Sequence, residues 1–221
     1  MFGPAMAVAS ARAVNMNGSK SVIELGYQTP RSYDRVNALI GPLDYYKTTA
    51  DFYKQLGVEE YESIDMGDYD CLHLDLNKEH EFDRTYDLVT NYGTSEHIFN
   101  QKAVFVNMHR LCSVGGVMIH CLPVTYFDHG FYNYCPNLFY SVARENKYEF
   151  QFAYLTHANQ DKIVPMPEDW ISLPHEKRRN WHLSQYQGEH AFNRMMVFAS
   201  KKTADYEFKI PTQHVLYEFA S

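Results

Sequence analysis

The feature that most constrains this chain is an alternation of two apolar periods. Short runs with strand character stand at 21–25, 61–65, 86–90 and 116–122, and stretches with helical spacing separate them. In 100–112, for example, Val104, Met108, Leu111 and Cys112 fall on one helical face. A chain that alternates in this way buries its strands in a mostly parallel sheet and covers the sheet with helices. Further strands are expected at 148–155 and 194–200, and helices at 137–146 and 175–187. Gly115-Gly116 reads as a helix stop and a turn into the strand that follows.

The 221 residues suit a single α/β domain. Its Ala-rich opening, 1–20, lacks a basic start and a continuous apolar run, and so reads as a frayed or helical extension rather than a signal peptide. The stretch 156–190 holds Pro165, Pro167 and Pro174 and is too long for a hairpin loop, so it is expected to form a cap with one short helix. The net charge of −7, with Lys177-Arg178-Arg179 the only basic cluster, disfavours a nucleic-acid partner. The cysteines Cys71, Cys112, Cys121 and Cys135 show no C-x-x-C spacing, which points to free thiols in a reducing, cytoplasmic setting. No apolar run approaches the ~20 residues that a membrane span needs. His175, His182 and His190 have no partner at ligand spacing and are expected at the surface.

The chemistry-bearing residues stand where strands end. Val22-Ile23-Glu24-Leu25-Gly26 places a carboxylate and a turn-forming glycine at the end of the first strand, where a doubly wound sheet binds its ligands. Asp65, in Ser63-Ile64-Asp65-Met66, ends the second strand, and a carboxylate there can accept from both hydroxyls of a ribose. Asp75-Leu76 follows ten residues later, and the fourth strand runs into Asn91-Tyr92-Gly93-Thr94-Ser95-Glu96-His97.

As an ordered set these motifs resemble the class I S-adenosylmethionine-dependent methyltransferases. The Glu96-His97 pair, followed by the Gly115-Gly116 strand, is nearest to the ubiquinone-pathway O-methyltransferase-like branch. The resemblance implies a Rossmann-like sheet of seven strands in the order 3-2-1-4-5-7-6, with the seventh antiparallel. It implies S-adenosylmethionine as cofactor, with Glu24 and Gly26 at its methionine end, Asp65 at the ribose, and Asp75 and Leu76 at the adenine. Asn91, Tyr92 and Gly93 would lie near the sulfonium, and Tyr27 and Met66 would complete the cofactor site. Two departures stand out. Gln28 and Pro30 replace later glycines of the first motif, so the cofactor's carboxylate would be met differently, by the Gln28 amide. Glu24 and Asp65 are 41 residues apart where about 20 is usual, which implies an inserted helix or lid at 32–52 bearing Tyr45 and Tyr46.

The expected reaction is methyl transfer to O or N of a small-molecule acceptor. The alternative is a catalytically degenerate module that keeps the fold for binding or regulation. A nicotinamide dehydrogenase is disfavoured, because pyrophosphate would need glycines where Gln28 and Pro30 stand. Catalytic candidates are His97, His129 and Glu96. His97 suits a general base, since an imidazole titrates near neutrality. Other readings make Glu96 a helix cap, or join Glu96, His97 and a later histidine around a divalent metal. The acidic partner that such metal sites place three residues before the glutamate is here Gly93, so no metal is expected. His120, inside an apolar strand, reads as a core residue. His129 lies in an aromatic loop with Tyr126, Phe131, Tyr132 and Tyr134, on the ligand side of the sheet. A homodimer is left open.

Overall fold

The computed structural model describes residues 1–157, 162–167, 169–170, 173–185 and 193–212. Eight strands form one sheet among these residues: β1 (Ser21–Leu25), β2 (Glu60–Asp65), β3 (Leu72–His73), β4 (Tyr86–Tyr92), β5 (Cys112–Thr125), β6 (Glu149–His157), β7 (Ile163–Pro165) and β8 (Arg194–Lys201). Their order is β3-β2-β1-β4-β5-β8-β6-β7. The pairs among β1 to β5 are parallel, and β8 runs antiparallel between β5 and β6. This is the expected Rossmann-like order with one strand more. The added strand, β7, pairs with β6 at Tyr154–Pro165 and lies in the stretch assigned to the cap, where the Pro-rich sequence hid an edge strand.

Helices cover both faces. On one side pack α1 (Pro4–Asn17), α2 (Tyr33–Ile40) and α3 (Thr49–Gln55), whose Ala9, Val36 and Phe52 share a core with Val22, Leu88 and Ile119. On the other, α4 (Gln101–Leu111) and α5 (Pro136–Glu145) bring Val104, Met108 and Phe139 against Ile23, Val89 and Met118. The alternating residues of β1 and β4 thus serve two cores, as an enclosed parallel strand requires. The cap contributes α6 (His175–Gln185), whose Trp181 ring meets the buried Trp170 at 4.9 Å. His182 is half-buried and edge-on to Trp170, not a surface residue, while His190 lies outside the described residues.

The opening takes the helical of its two expected forms: Pro4 sets the first turn of α1, and its alanines Ala5, Ala7, Ala9, Ala11 and Ala13 are all buried. One local expectation is corrected, since Gly115-Gly116 is not the helix stop. The chain passes from Leu111 directly into β5, and Cys112 pairs with Tyr86 before a register shift. The two glycines then face Lys202, which accepts from Gly115 and donates to Gly116 through its backbone.

The contact of α1 with the sheet includes a polar centre. The buried Ser10 hydroxyl bridges the hydroxyls of Tyr53 (2.9 Å) and Tyr92 (2.8 Å). Ser10→Ala removes the bridge and is expected to lower stability by about 1–3 kcal/mol, read from the midpoint of urea unfolding. An unchanged midpoint would mean that the two tyrosines find other partners.

Candidate functional site

The strand order reverses between β1 and β4, and the ends of these strands open into two adjoining cavities. The first, of about 400 Å³, runs over β1 and β2, with Gly26, Tyr27, Gln28, Asp65, Met66, Asp75, Leu76 and Gly93 on its walls. The second, of about 430 Å³, lies over β4 and the start of α1, with Tyr92, Gly93, Glu96, His97, Tyr126 and His129 on its walls. Gly93 and His97 belong to both, so the two cavities meet there.

The first cavity is shaped by the turn after β1. Gly26 has φ +82°, and a Cβ there would collide with the Thr94 side chain, whose hydroxyl donates to the Leu25 carbonyl (2.6 Å). Asp65 holds the turn from the neighbouring strand. Its carboxylate accepts from the Tyr27 N–H and the Gly67 N–H, each at 2.8 Å. Each oxygen keeps a second lone pair for a ligand hydroxyl. Tyr27 stacks on Tyr69 at 4.4 Å, and Asp75 accepts from Asn77.

Two residues expected at the cofactor, Glu24 and Asn91, are turned elsewhere, and a third, Gln28, is engaged by the backbone. Glu24 is fully buried beneath the turn and lies on neither cavity wall. Its carboxylate accepts from the hydroxyls of Tyr61 (2.6 Å), Tyr53 (3.2 Å) and Thr90 (3.3 Å). Burial pushes its pKa up to about 7 against the pull of those hydroxyls. Asn91 is also buried and stitches β4 to the turn that follows, accepting from the Ser95 N–H and donating to the Ser95 hydroxyl. Alternation along the strand explains both, since neighbouring side chains on a strand point to opposite faces. Gln28 does reach the cavity, but its amide nitrogen donates to the Tyr92 carbonyl (2.9 Å) and lies 3.5 Å from the Gly26 carbonyl, so its two N–H groups are directed at the backbone.

The second cavity gathers the catalytic candidates. A 3₁₀ turn, Ser95–His97, carries Glu96 inward and His97 outward. The loop after β5 brings His129 to the same point, because Gly130 (φ +68°) has no Cβ to strike the Glu96 backbone and the Phe131 N–H donates to the Glu96 carbonyl (2.7 Å). His129 Nε2 lies 3.5 Å and His97 Nε2 4.0 Å from the same Glu96 oxygen. Burial raises the Glu96 pKa to about 7, and burial beside His129 lowers that of His97. Tyr126 stacks on the His129 ring at 4.2 Å. Of the other loop aromatics, Tyr134 is buried and donates to Gln101, while Phe131 is exposed. His120 is buried between Phe105 and Phe139, with Asn91 as its polar partner. Sequence reasoning missed Arg31 and Arg35, which edge the second cavity from a stretch with no motif, and Met195, which reaches it from the distant β8.

No protein-family model and no curated protein matches this chain. Solved structures share its fold. The StiE O-MT segment superposes with a TM-score of 0.51 at 14% identity, over 90% of this chain and 73% of its own. An O-methyltransferase from a Brevibacillus brevis trans-AT PKS multienzyme, in complex with S-adenosyl-L-homocysteine, gives 0.51 at 10% identity over 91% and 73%. A putative methyltransferase from Bacillus halodurans gives 0.51 at 9% over 88% and 99%. At these identities the likeness is one of fold.

The buried Glu24 makes stability depend on pH. Its folded pKa of about 7 exceeds the ordinary 4.5, so the folded state holds the proton more tightly. Stability from this group is intact below pH 4.5, falls as pH rises, and is lost above 7, a change of about 3 kcal/mol. Glu24→Gln removes this dependence. Urea unfolding of both proteins from pH 4.5 to 8 is expected to show the difference shifting toward the variant, and a constant difference would refute the assignment.

Proposed function

We propose that this chain is an S-adenosylmethionine-dependent methyltransferase acting on O or N of a small-molecule acceptor. The observation that carries the reading is the pair of cavities meeting at Gly93 and His97. One has a carboxylate at the end of β2 and a second at Asp75, suited to a ribose and an adenine. The other has groups suited to handling an acceptor's proton.

The residues present fit such a cofactor in part. Asp65 supplies charge-assisted acceptors for two hydroxyls while it holds the turn at Tyr27. Asp75 and Leu76 offer a polar edge and an apolar face for a base, with Leu76 buried and Ile98 lining the same cavity. Gly26 leaves the backbone open to close approach. Glu24 and Asn91 have no direct part in this reading: Glu24 fixes the turn from below, and Asn91 fixes the turn that carries Glu96. A bound cofactor supplies an electrophilic methyl group. The chain's own task is to hold the acceptor in line with it, which can contribute ~7–11 kcal/mol. Glu96, His97 and His129 stand where the acceptor's proton must leave, and Arg31 and Arg35 give the outer wall positive charge. The Brevibacillus brevis structure, which carries the demethylated product on the same fold, supports the choice of cofactor.

Isothermal titration with S-adenosylmethionine and with S-adenosylhomocysteine tests the reading. Binding is expected with Kd on the order of micromolar. Asp65→Asn is expected to weaken it by about tenfold or more through loss of the charged acceptor. No heat at millimolar ligand would overturn the assignment and leave a binding or regulatory module on this fold.

A further inference from the structure

The carboxylate of Glu96 poses a problem that its own fold does not solve. The residue is fully buried, yet neither of its oxygens has a hydrogen-bond partner among the described residues. An ionised carboxylate without partners is among the most costly groups to bury. Glu24, equally buried on the same sheet, is met by three hydroxyls. Around Glu96 stand two imidazoles, both presenting Nε2 to a single oxygen at 3.5 and 4.0 Å, while the Met1 ammonium acts on it from the same cavity without a hydrogen bond. These are too long for good hydrogen bonds. They suit ligands that share an ion: at about 2.0–2.2 Å from a metal, neighbouring ligand atoms stand roughly 3–4 Å apart. One ligand atom from each of Glu96, His97 and His129 lies within 4.8 Å of the others.

We propose that Glu96, His97 and His129 bind a divalent transition-metal ion at the floor of the second cavity. Two imidazoles and one carboxylate suit Zn²⁺, Mn²⁺, Fe²⁺ or Co²⁺ and disfavour the oxygen-seeking Mg²⁺ and Ca²⁺. The rings are held for the purpose. His129 is stacked on Tyr126 and lies edge-on to His97, with centroids 5.1 Å apart and planes at 74°. Gly93 stands next to the group: among the described residues beyond its chain neighbours, a Cβ there would meet only the Glu96 oxygen, at 3.4 Å. Three protein ligands on one side and an open cavity on the other leave coordination positions for water or substrate.

The role of the ion rests on the methyl-transfer reading, and its binding does not. With an acceptor hydroxyl on an open position, the metal lowers the pKa of that hydroxyl. The proton passes to solvent and the oxygen attacks the methyl carbon. A C–O bond forms as the C–S bond breaks, and sulfur keeps the electron pair.

The test is titration of the chelator-stripped full chain with Co²⁺, followed by visible absorption, with a matching Zn²⁺ titration by calorimetry. The expected result is one equivalent bound with a new visible band, and a thermal midpoint raised by the metal. Glu96→Gln and His129→Gln are each expected to weaken binding by about tenfold or more. His97→Gln does the same from a half-exposed position that leaves the core intact. His73→Gln, on the exposed β3, keeps wild-type affinity. No saturable binding, or binding that all four variants retain, would overturn the site. Titration of the same metal-free protein with S-adenosylhomocysteine reads the cofactor assignment separately, so either can fail alone.

Discussion

The fold turns on a carboxylate that never meets water. Glu24 ends β1 at the centre of the sheet, and its two oxygens draw in Tyr53 from α3, Tyr61 from β2 and Thr90 from β4. The Tyr53 hydroxyl passes the connection to Ser10 of α1, and Ser10 passes it to Tyr92. Two helices and three strands are thus tied at one point beneath the ligand-side turn. Apolar burial supplies most of the stabilisation on either face, but it is non-directional. A polar network with defined partners fixes which way each element sits.

That fixity matters at the turn directly above. Gly26 donates to the Ile64 carbonyl, Tyr27 donates to Asp65, and Thr94 donates to Leu25. Each bond joins a neighbouring strand end to the tip of β1. The open cavities therefore lie on a rigid floor, with their walls supplied by loops, the usual division of labour in α/β proteins. The second cavity is built in the same way, since Asn91 anchors the turn that bears Glu96 and His97 while Gly130 lets a loop from β5 close on it.

Much of this was legible in the sequence. The main strands and the flanking helices follow from periodicity, because each apolar run belongs to a sheet buried on both faces, while the strand order was what the resemblance implied. The carboxylates Asp65 and Asp75 and the loop histidine His129 were found because strand ends are where such a sheet exposes chemistry. What was missed depends on rotation within a strand or on contacts distant in sequence. Glu24 and Asp65 both end strands, and nothing in their local sequence says that one turns inward beneath α3 while the other lines a cavity. Met195 reaches the site from β8 through pairing with β5. The helix α1 read as an appendage because an Ala-rich segment shows little amphipathic contrast, yet smallness is what lets it pack closely.

The comparison of Glu24 with Glu96 bears on how sites are recognised in an unfamiliar chain. Both are buried glutamates near strand ends, and burial raises both to about 7. A perturbed carboxylate marks a functional site only in a statistical sense, because structural networks perturb pKa values too. What separates the two is the fate of their lone pairs. Those of Glu24 are consumed by hydroxyls from three elements, so the residue is complete within the fold. Those of Glu96 face two imidazoles and a cavity, and the fold leaves them without a partner. A chain that buries one carboxylate among three hydroxyls has the means to satisfy another. At Glu96 it has instead placed two imidazole nitrogens and an open wall, which is why the proposed ion is sought there and not at Glu24.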